Sequence, residues 1–260
     1  MKPSLTADHG RMPSVGAYRH HQTRRLHEKT SIRTYHSQGK VSGWPCTRME
    51  CGGSLDAVEG SLRHEGAYDS VQAMDYQSYH PEMEYGRYVM ALRCTRCDDR
   101  VVVAGAYGNE EVELPDRFEH EEMLYPKFFF PALPIIEVPS ACPPGVRNAL
   151  TQAFSAYWSS PGNAANSMRI ALERLMDEQD IAPGKLHHRI GIFDRSHPET
   201  GEFLEAAKWV GNVGSHEGEV THERVLDVLE LVEHAMEVLY PKDTTRLRDT
   251  ARAIIAAKGK

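Results

Sequence analysis

From Pro143 onward, apolar residues recur three and four positions apart, the period of a helix with one buried face. Val146, Leu150, Ala153, Phe154 and Tyr157 follow a Pro-Pro entry that suits a helix start. Ser160 before Pro161 is a second start, leading to the broad face of Ala164, Ala165, Met168, Ala171, Leu172, Leu175 and Met176. Leu186, Ile190 and Phe193 mark a short third helix in "LHHRIGIF". Phe203, Leu204, Ala207 and Val210 mark a fourth in "EFLEAAKWV". Thr221 is placed to cap a fifth, with Glu223 in its first turn, which runs on Val225, Val228, Leu229, Val232, Ala235, Met236 and Leu239 until Pro241 closes it. Strand-type alternation does not interrupt this series, so 143–242 is predicted to be an all-α bundle, with 243–260 as a basic helical tail.

The pattern upstream is different. In 41–110, "YVMALRCTRCDDRVVVAGAY" has two flanks rich in Val, Tyr and Leu around a cysteine pair, which predicts strand, turn, strand. Six prolines from Pro126 to Pro144 argue against any regular helix or central strand, so 111–142 is expected to be a Pro-rich linker, extended and strapped across a helical surface. The fold class is therefore α+β, a small β module followed by helices. Residues 1–40 show almost no apolar periodicity and hold eight Lys/Arg against two Asp/Glu, with five of the 14 histidines. They are expected to be a basic, disordered arm, able to touch RNA, DNA or a protein partner.

The whole chain of 260 residues is 40% hydrophobic and 26% charged, the composition of a soluble globular protein. Its formal net charge of −7 gives no global attraction to nucleic acid. No stretch reaches the roughly 18 apolar residues of a membrane span, and "MKPSLTADHG" lacks the apolar core of a secretory signal. A cytoplasmic protein with reduced cysteines is expected, without membrane partners.

In a reducing compartment, the cysteines suggest a metal. Cys46 and Cys51 form C-x4-C, and Cys94 and Cys97 form C-x2-C. Two short-spaced pairs, each on a tight turn, suit tetrahedral zinc in a zinc-ribbon-like module. Four ordinary reduced cysteines, or His64 or His80 in place of one thiolate, are the alternatives. Four sulfur ligands would leave no open position, making the zinc structural. The 42 residues between the pairs must contain an insertion. Cys142 is expected to be a lone thiol.

A second candidate site is "KWVGNVGSH", 208–216. If the fourth helix persists past Val210, Lys208, Asn212 and His216 share one face at i, i+4 steps, with Gly211, Gly214 and Ser215 leaving room beside them. The plainer reading is a C-capping turn with a polar histidine. Tyr125 and Pro126, "NAANSMRIALERLM", "GNVGSH" and "VLELVEHAMEVLYPK" come in an order that resembles the domain-of-unknown-function family 4145, over roughly 124–242. That resemblance implies a HEPN-like helical bundle, a group that includes metal-independent RNases and non-catalytic binding modules of bacterial defence. It also implies a dimer with two sites meeting across the interface. Carried over, Asn212 and His216 take the polar and histidine positions of the RNase motif, but the arginine position falls on Gly211. Lys208 could stand in, without the bidentate fork of an arginine. Arg169, Glu173 and Arg174 of the second helix are further binding or orienting candidates, although Arg169 and Glu173 also suit a surface ion pair.

The expected function is a non-catalytic zinc-ribbon plus HEPN-like module that binds nucleic acid or a protein partner, in bacterial defence or regulation. The alternative is an endoribonuclease using His216, with Asn212 and Lys208. A homodimer through the bundle is expected, because the apolar positions of 225–239 outnumber what one short neighbour can cover. No nucleotide-binding glycine loop, Ser/His/Asp arrangement or nuclease carboxylate–lysine cluster is present. The carboxylates of "GNEEVELPDRFEHEEM" have no recognisable metal spacing and read as a solvated face.

Overall fold

The structure, a computed structural model, describes residues 43–48, 51–75, 79–113, 117–213 and 220–257. It is a mixed α+β fold, an antiparallel sheet followed by helices.

The strands are β1 (Trp44–Pro45), β2 (Ser54–Ala57), β3 (Arg63–Gly66), β4 (Tyr85–Cys94), β5 (Arg100–Glu113) and β6 (Phe118–Phe130). The sheet order is β1-β2-β4-β5-β6, with β3 beside β2 on the same edge of β4. The alternation of β4 sets its two faces: Tyr88, Met90, Leu92 and Cys94 are buried, while Tyr85, Arg87, Val89 and Arg93 point out. The insertion required between the cysteine pairs is β3, a short helix α1 (Tyr68–Ala73) and a single 3-10 turn (Pro81–Met83).

The linker expectation for 111–142 is corrected. Residues 118–130 form β6, paired in register with β5 from Val102↔Phe130 to Glu113↔Phe118. Pro126 is tolerated because β6 is an edge strand and Pro126 sits where the register shifts, opposite Gly105. Gly105 is required at this bulge, since a Cβ there would collide with the carbonyl oxygen of Tyr125. Beyond β6, residues 131–142 do run as a strap. Leu133, Ile135, Ile136 and Cys142 are buried, and the Glu137 backbone N–H donates to Glu233 Oε1 at 2.6 Å.

The predicted helices form as α2 (Pro144–Tyr157), α3 (Pro161–Glu178), α4 (Leu186–Asp194), α5 (Pro198–Val213) and α6 (His222–Leu239), followed by α7 (Thr245–Ala256). Two of their starts are capped from the sequence. Ser160 accepts from the Asn163 N–H at 3.5 Å and Thr221 from the Arg224 N–H at 3.3 Å. Between α3 and α4 the arginine Arg189 is buried, donating to Asp177 Oδ1 at 2.7 Å and to the carbonyls of Ile181 at 2.9 Å and Glu173 at 3.3 Å. On α6, Val225, Leu226, Val228, Leu229, Val232, Ala235 and Met236 are all buried within the chain, so these positions do not call for a second copy.

Sheet and helices share one core. Its junction is aromatic: Phe129 of β6 packs between Trp44 of β1, at 5.0 Å, and Trp158 after α2, at 4.7 Å between ring centroids. The first strand of the cysteine region is thereby tied to the helical half.

Candidate metal centre

Both cysteine pairs sit on turns of one design. After Cys46, the chain turns so that the Arg48 N–H points at the Cys46 sulfur, 3.4 Å away. After Cys94, the Arg96 N–H makes the same contact with the Cys94 sulfur, also 3.4 Å. The residue following the second cysteine of each pair is left-handed, Gly52 at φ 64° and Asp98 at φ 58°. Glycine and aspartate are residue types that tolerate this region. Strand pairing then brings the turns together, because Leu55 of β2 is in register with Cys94 of β4 and Cys46 N–H donates to the Gly53 carbonyl at 2.9 Å.

The result is a cluster of four sulfurs all within 4.8 Å of one another. Across the two turns, Cys46 Sγ lies 3.6 Å from Cys97 Sγ, and Cys51 Sγ lies 3.7 Å from Cys94 Sγ. A disulfide needs about 2.05 Å. A tetrahedron of thiolates about 2.3 Å from a central ion has edges of about 3.8 Å, close to the spacing found. Donor type, number and separation all fit a tetrahedral metal of the zinc or iron class.

The electrostatics of the turns fit as well. Backbone N–H groups of Arg96 and Cys97 bring the Cys94 thiol down to about 6 against the cost of its burial. Burial pushes the Cys46 thiol up to about 12 in spite of the Arg48 N–H. A cation at the centre would supply the charge that favours thiolates around it. His64, the alternative ligand, is instead on β3, with its ring 5.0 Å from that of Tyr107 and Nε2 4.0 Å from Glu122. His80 is not part of the cluster. The fifth cysteine, Cys142, is buried in the strap, where burial raises its thiol.

The second candidate site is only partly within the described residues. His216, with Gly214 and Ser215, lies outside them, and Asn212 is on the last turn of α5. Helix α5 does persist past Val210, as the shared face requires. Lys208 is buried, and its ammonium is bound to the Glu205 carboxylate, 3.0 Å from His187 Nδ1, and over the Trp209 ring at 4.5 Å. Burial raises the Glu205 carboxyl, but the hydrogen bond and charge of Lys208, with His187 beside them, leave it below its ordinary value. The charge of Lys208 is thus already matched. Arg169 pairs with Glu173 at 3.1 Å and Arg174 with Asp177 at 3.5 Å, both on the surface of α3. The Glu205–Lys208 pair was missed in the sequence, although its i, i+3 spacing is the available signal.

One more grouping was not legible from spacing: the exposed Glu82, Glu111 and His120 converge from the 3-10 turn, β5 and β6. Among the described residues no helix is long and apolar enough to cross a membrane.

A family model described as domain of unknown function (DUF4145) matches residues 151–258, and another, domain of unknown function (DUF8608), matches residues 34–133. The first begins within α2 and includes α7, so it starts later and ends later than the resemblance over 124–242. The second spans the sheet through β6. No match to the chain was found among curated proteins or among solved structures.

Proposed function

We propose that the chain is a non-catalytic binding module in which a single structural zinc, held by Cys46, Cys51, Cys94 and Cys97 in a zinc-ribbon-like arrangement, fixes a sheet that is docked on a HEPN-like helical bundle. The observation carrying this reading is the four-sulfur cluster. With four protein thiolates the ion has no free position for water or substrate, so its contribution is to shape and stability. Zinc is preferred to iron because a redox-inert ion suits a purely structural role. The ligand of such a module is nucleic acid or a protein, in the defence or regulatory setting that the HEPN resemblance implies.

The RNase alternative gains no support from the described residues. It needs an anion-binding cation beside His216, and Lys208 has its charge engaged by Glu205. A direct test incubates purified protein with labelled single-stranded RNA in EDTA. The RNA is expected to remain intact. Cutting that leaves 2′,3′-cyclic phosphate ends and disappears in His216→Ala would overturn the non-catalytic reading.

A further inference from the structure

The face of the sheet turned away from the core has an unusual composition. In register across β4, β5 and β6 lie two apolar rows, Val89–Ala104–Phe128 and Ala91–Val102–Phe130. Phe128 and Phe130 are 48% and 66% exposed, and Val89 and Val102 are more than 40% exposed. Large apolar side chains left open in adjacent rows mark a contact surface more often than isolated ones do.

The rows on either side carry arginines. Beyond Ala91–Val102, Arg93 and Arg100 are directly paired across β4 and β5. Like charges facing each other across a ladder are unfavourable for folding. Arg93 has some relief from Asp56 in register on β2 and from Asp98 at 3.8 Å. On the opposite side, beyond Val89–Ala104, Arg87 pairs with Ala106 and is flanked by Glu65 of β3. Arg87 and Arg100 form no ion pair among the described residues. The far end of the β5–β6 hairpin is the reverse, carrying Glu110, Glu111, Glu119, Glu121 and Glu122.

We propose that this outer face binds single-stranded nucleic acid, a proposal that rests on the binding-module reading above. Two phenylalanines two residues apart on one strand stand about 7 Å apart on the same side, and flat rings at that spacing accept the faces of unstacked bases. Arg87, Arg93 and Arg100, on the neighbouring β4 and β5, are placed to meet the phosphates of a strand running along β6. Small residues at Ala91, Ala104 and Ala106 let the backbone of the ligand approach. The acidic hairpin end repels a polyanion, which confines the strand to the end of the sheet beside the cysteine turns. A duplex, whose bases are stacked on one another, cannot use the rings.

Fluorescence anisotropy with labelled 20-nucleotide single strands of RNA and of DNA, and the corresponding duplex, tests this on the full-length, zinc-loaded protein. Single strands are expected to bind more tightly than the duplex. Phe128→Ala/Phe130→Ala, which removes exposed rings only, should weaken binding by about 30-fold or more. Phe128→Trp/Phe130→Trp should retain it. Arg87→Gln/Arg100→Gln should lower the slope of log affinity against log salt by about 0.7 for each phosphate that is no longer neutralised. No single-strand binding by the wild type, a duplex bound equally well, or affinity unchanged in both alanine and glutamine variants would overturn the proposal. In the last case the binding-module reading stands, with the ligand held elsewhere on the chain, such as by the basic 1–40 segment. Cleavage of the RNA in EDTA would do the reverse, refuting the non-catalytic reading while leaving the sheet assignment in place.

Discussion

A Cβ built on Gly53 would lie 2.5 Å from Cys94 Sγ and 2.9 Å from Arg96 Cβ. The absence of a side chain at Gly53 is what lets the first cysteine turn close on the second. Gly53→Ala is therefore expected to push the two turns apart without touching a ligand. In competition with a chromophoric chelator, the variant should release its metal at about 10-fold lower chelator concentration, the scale on which supporting groups around a site act. Equal retention by wild type and variant would show that the turns do not need this approach.

Metal and tryptophan fluorescence should be linked. Trp44 lies two residues before Cys46, and its ring is 6.5 Å from that of Trp158, against the helical half. Trp209, the third tryptophan, is 59% exposed and remote from the cysteine turns in sequence. Stripping the metal should loosen β1, expose Trp44 and shift the emission to the red, and restoring zinc should reverse it. The same shift should persist in Trp209→Phe and be lost in Trp44→Phe.

The junction itself is a large share of the stability. Phe129 is fully buried between Trp44 and Trp158. Phe129→Ala should cost about 3–5 kcal/mol in denaturant unfolding. Because sheet and bundle share this core, both should unfold in one transition at lower denaturant, which far- and near-UV circular dichroism followed together would show.

The helical half was legible because its apolar residues keep one period from Val146 to Leu239, and its starts at Ser160 and Thr221 carry their own caps. The cysteine cluster was legible from spacing alone. Strand β6 was not. Prolines in a sequence argue against a strand, yet Pro126 costs nothing at an edge bulge, and a bulge depends on the register with Gly105, which is a long-range fact. The pairing of Lys208 with Glu205 was likewise hidden by the glycines that follow it, which suggest a turn. The exposed sheet face was hidden for a different reason: Val89, Val102, Phe128 and Phe130 are scattered in sequence, and only the strand register puts them side by side.

Glu205 gives a pH signature. Its carboxyl is held below its ordinary value in the folded protein, mainly by Lys208 working against burial. A depressed carboxylate contributes stability that is complete above its unfolded value and is lost as pH falls through the lower folded one. Wild type should thus lose an increment as pH falls through and below the ordinary carboxylate range that Glu205→Gln lacks, with Glu205→Gln less stable at pH 7. Parallel curves for the two proteins would remove the pair from the account.

Light scattering across a wide concentration range addresses the homodimer that the HEPN resemblance implies. The expected mass is twice the 29.3 kDa of one chain. A constant mass near one chain would contradict it.

The central claim is the zinc, and metal analysis of the purified, unchelated protein tests it most directly. One equivalent of zinc per chain is expected, falling to near zero in Cys94→Ser/Cys97→Ser. Less than about half an equivalent in the wild type, iron in place of zinc, or full metal content in the double variant would contradict it.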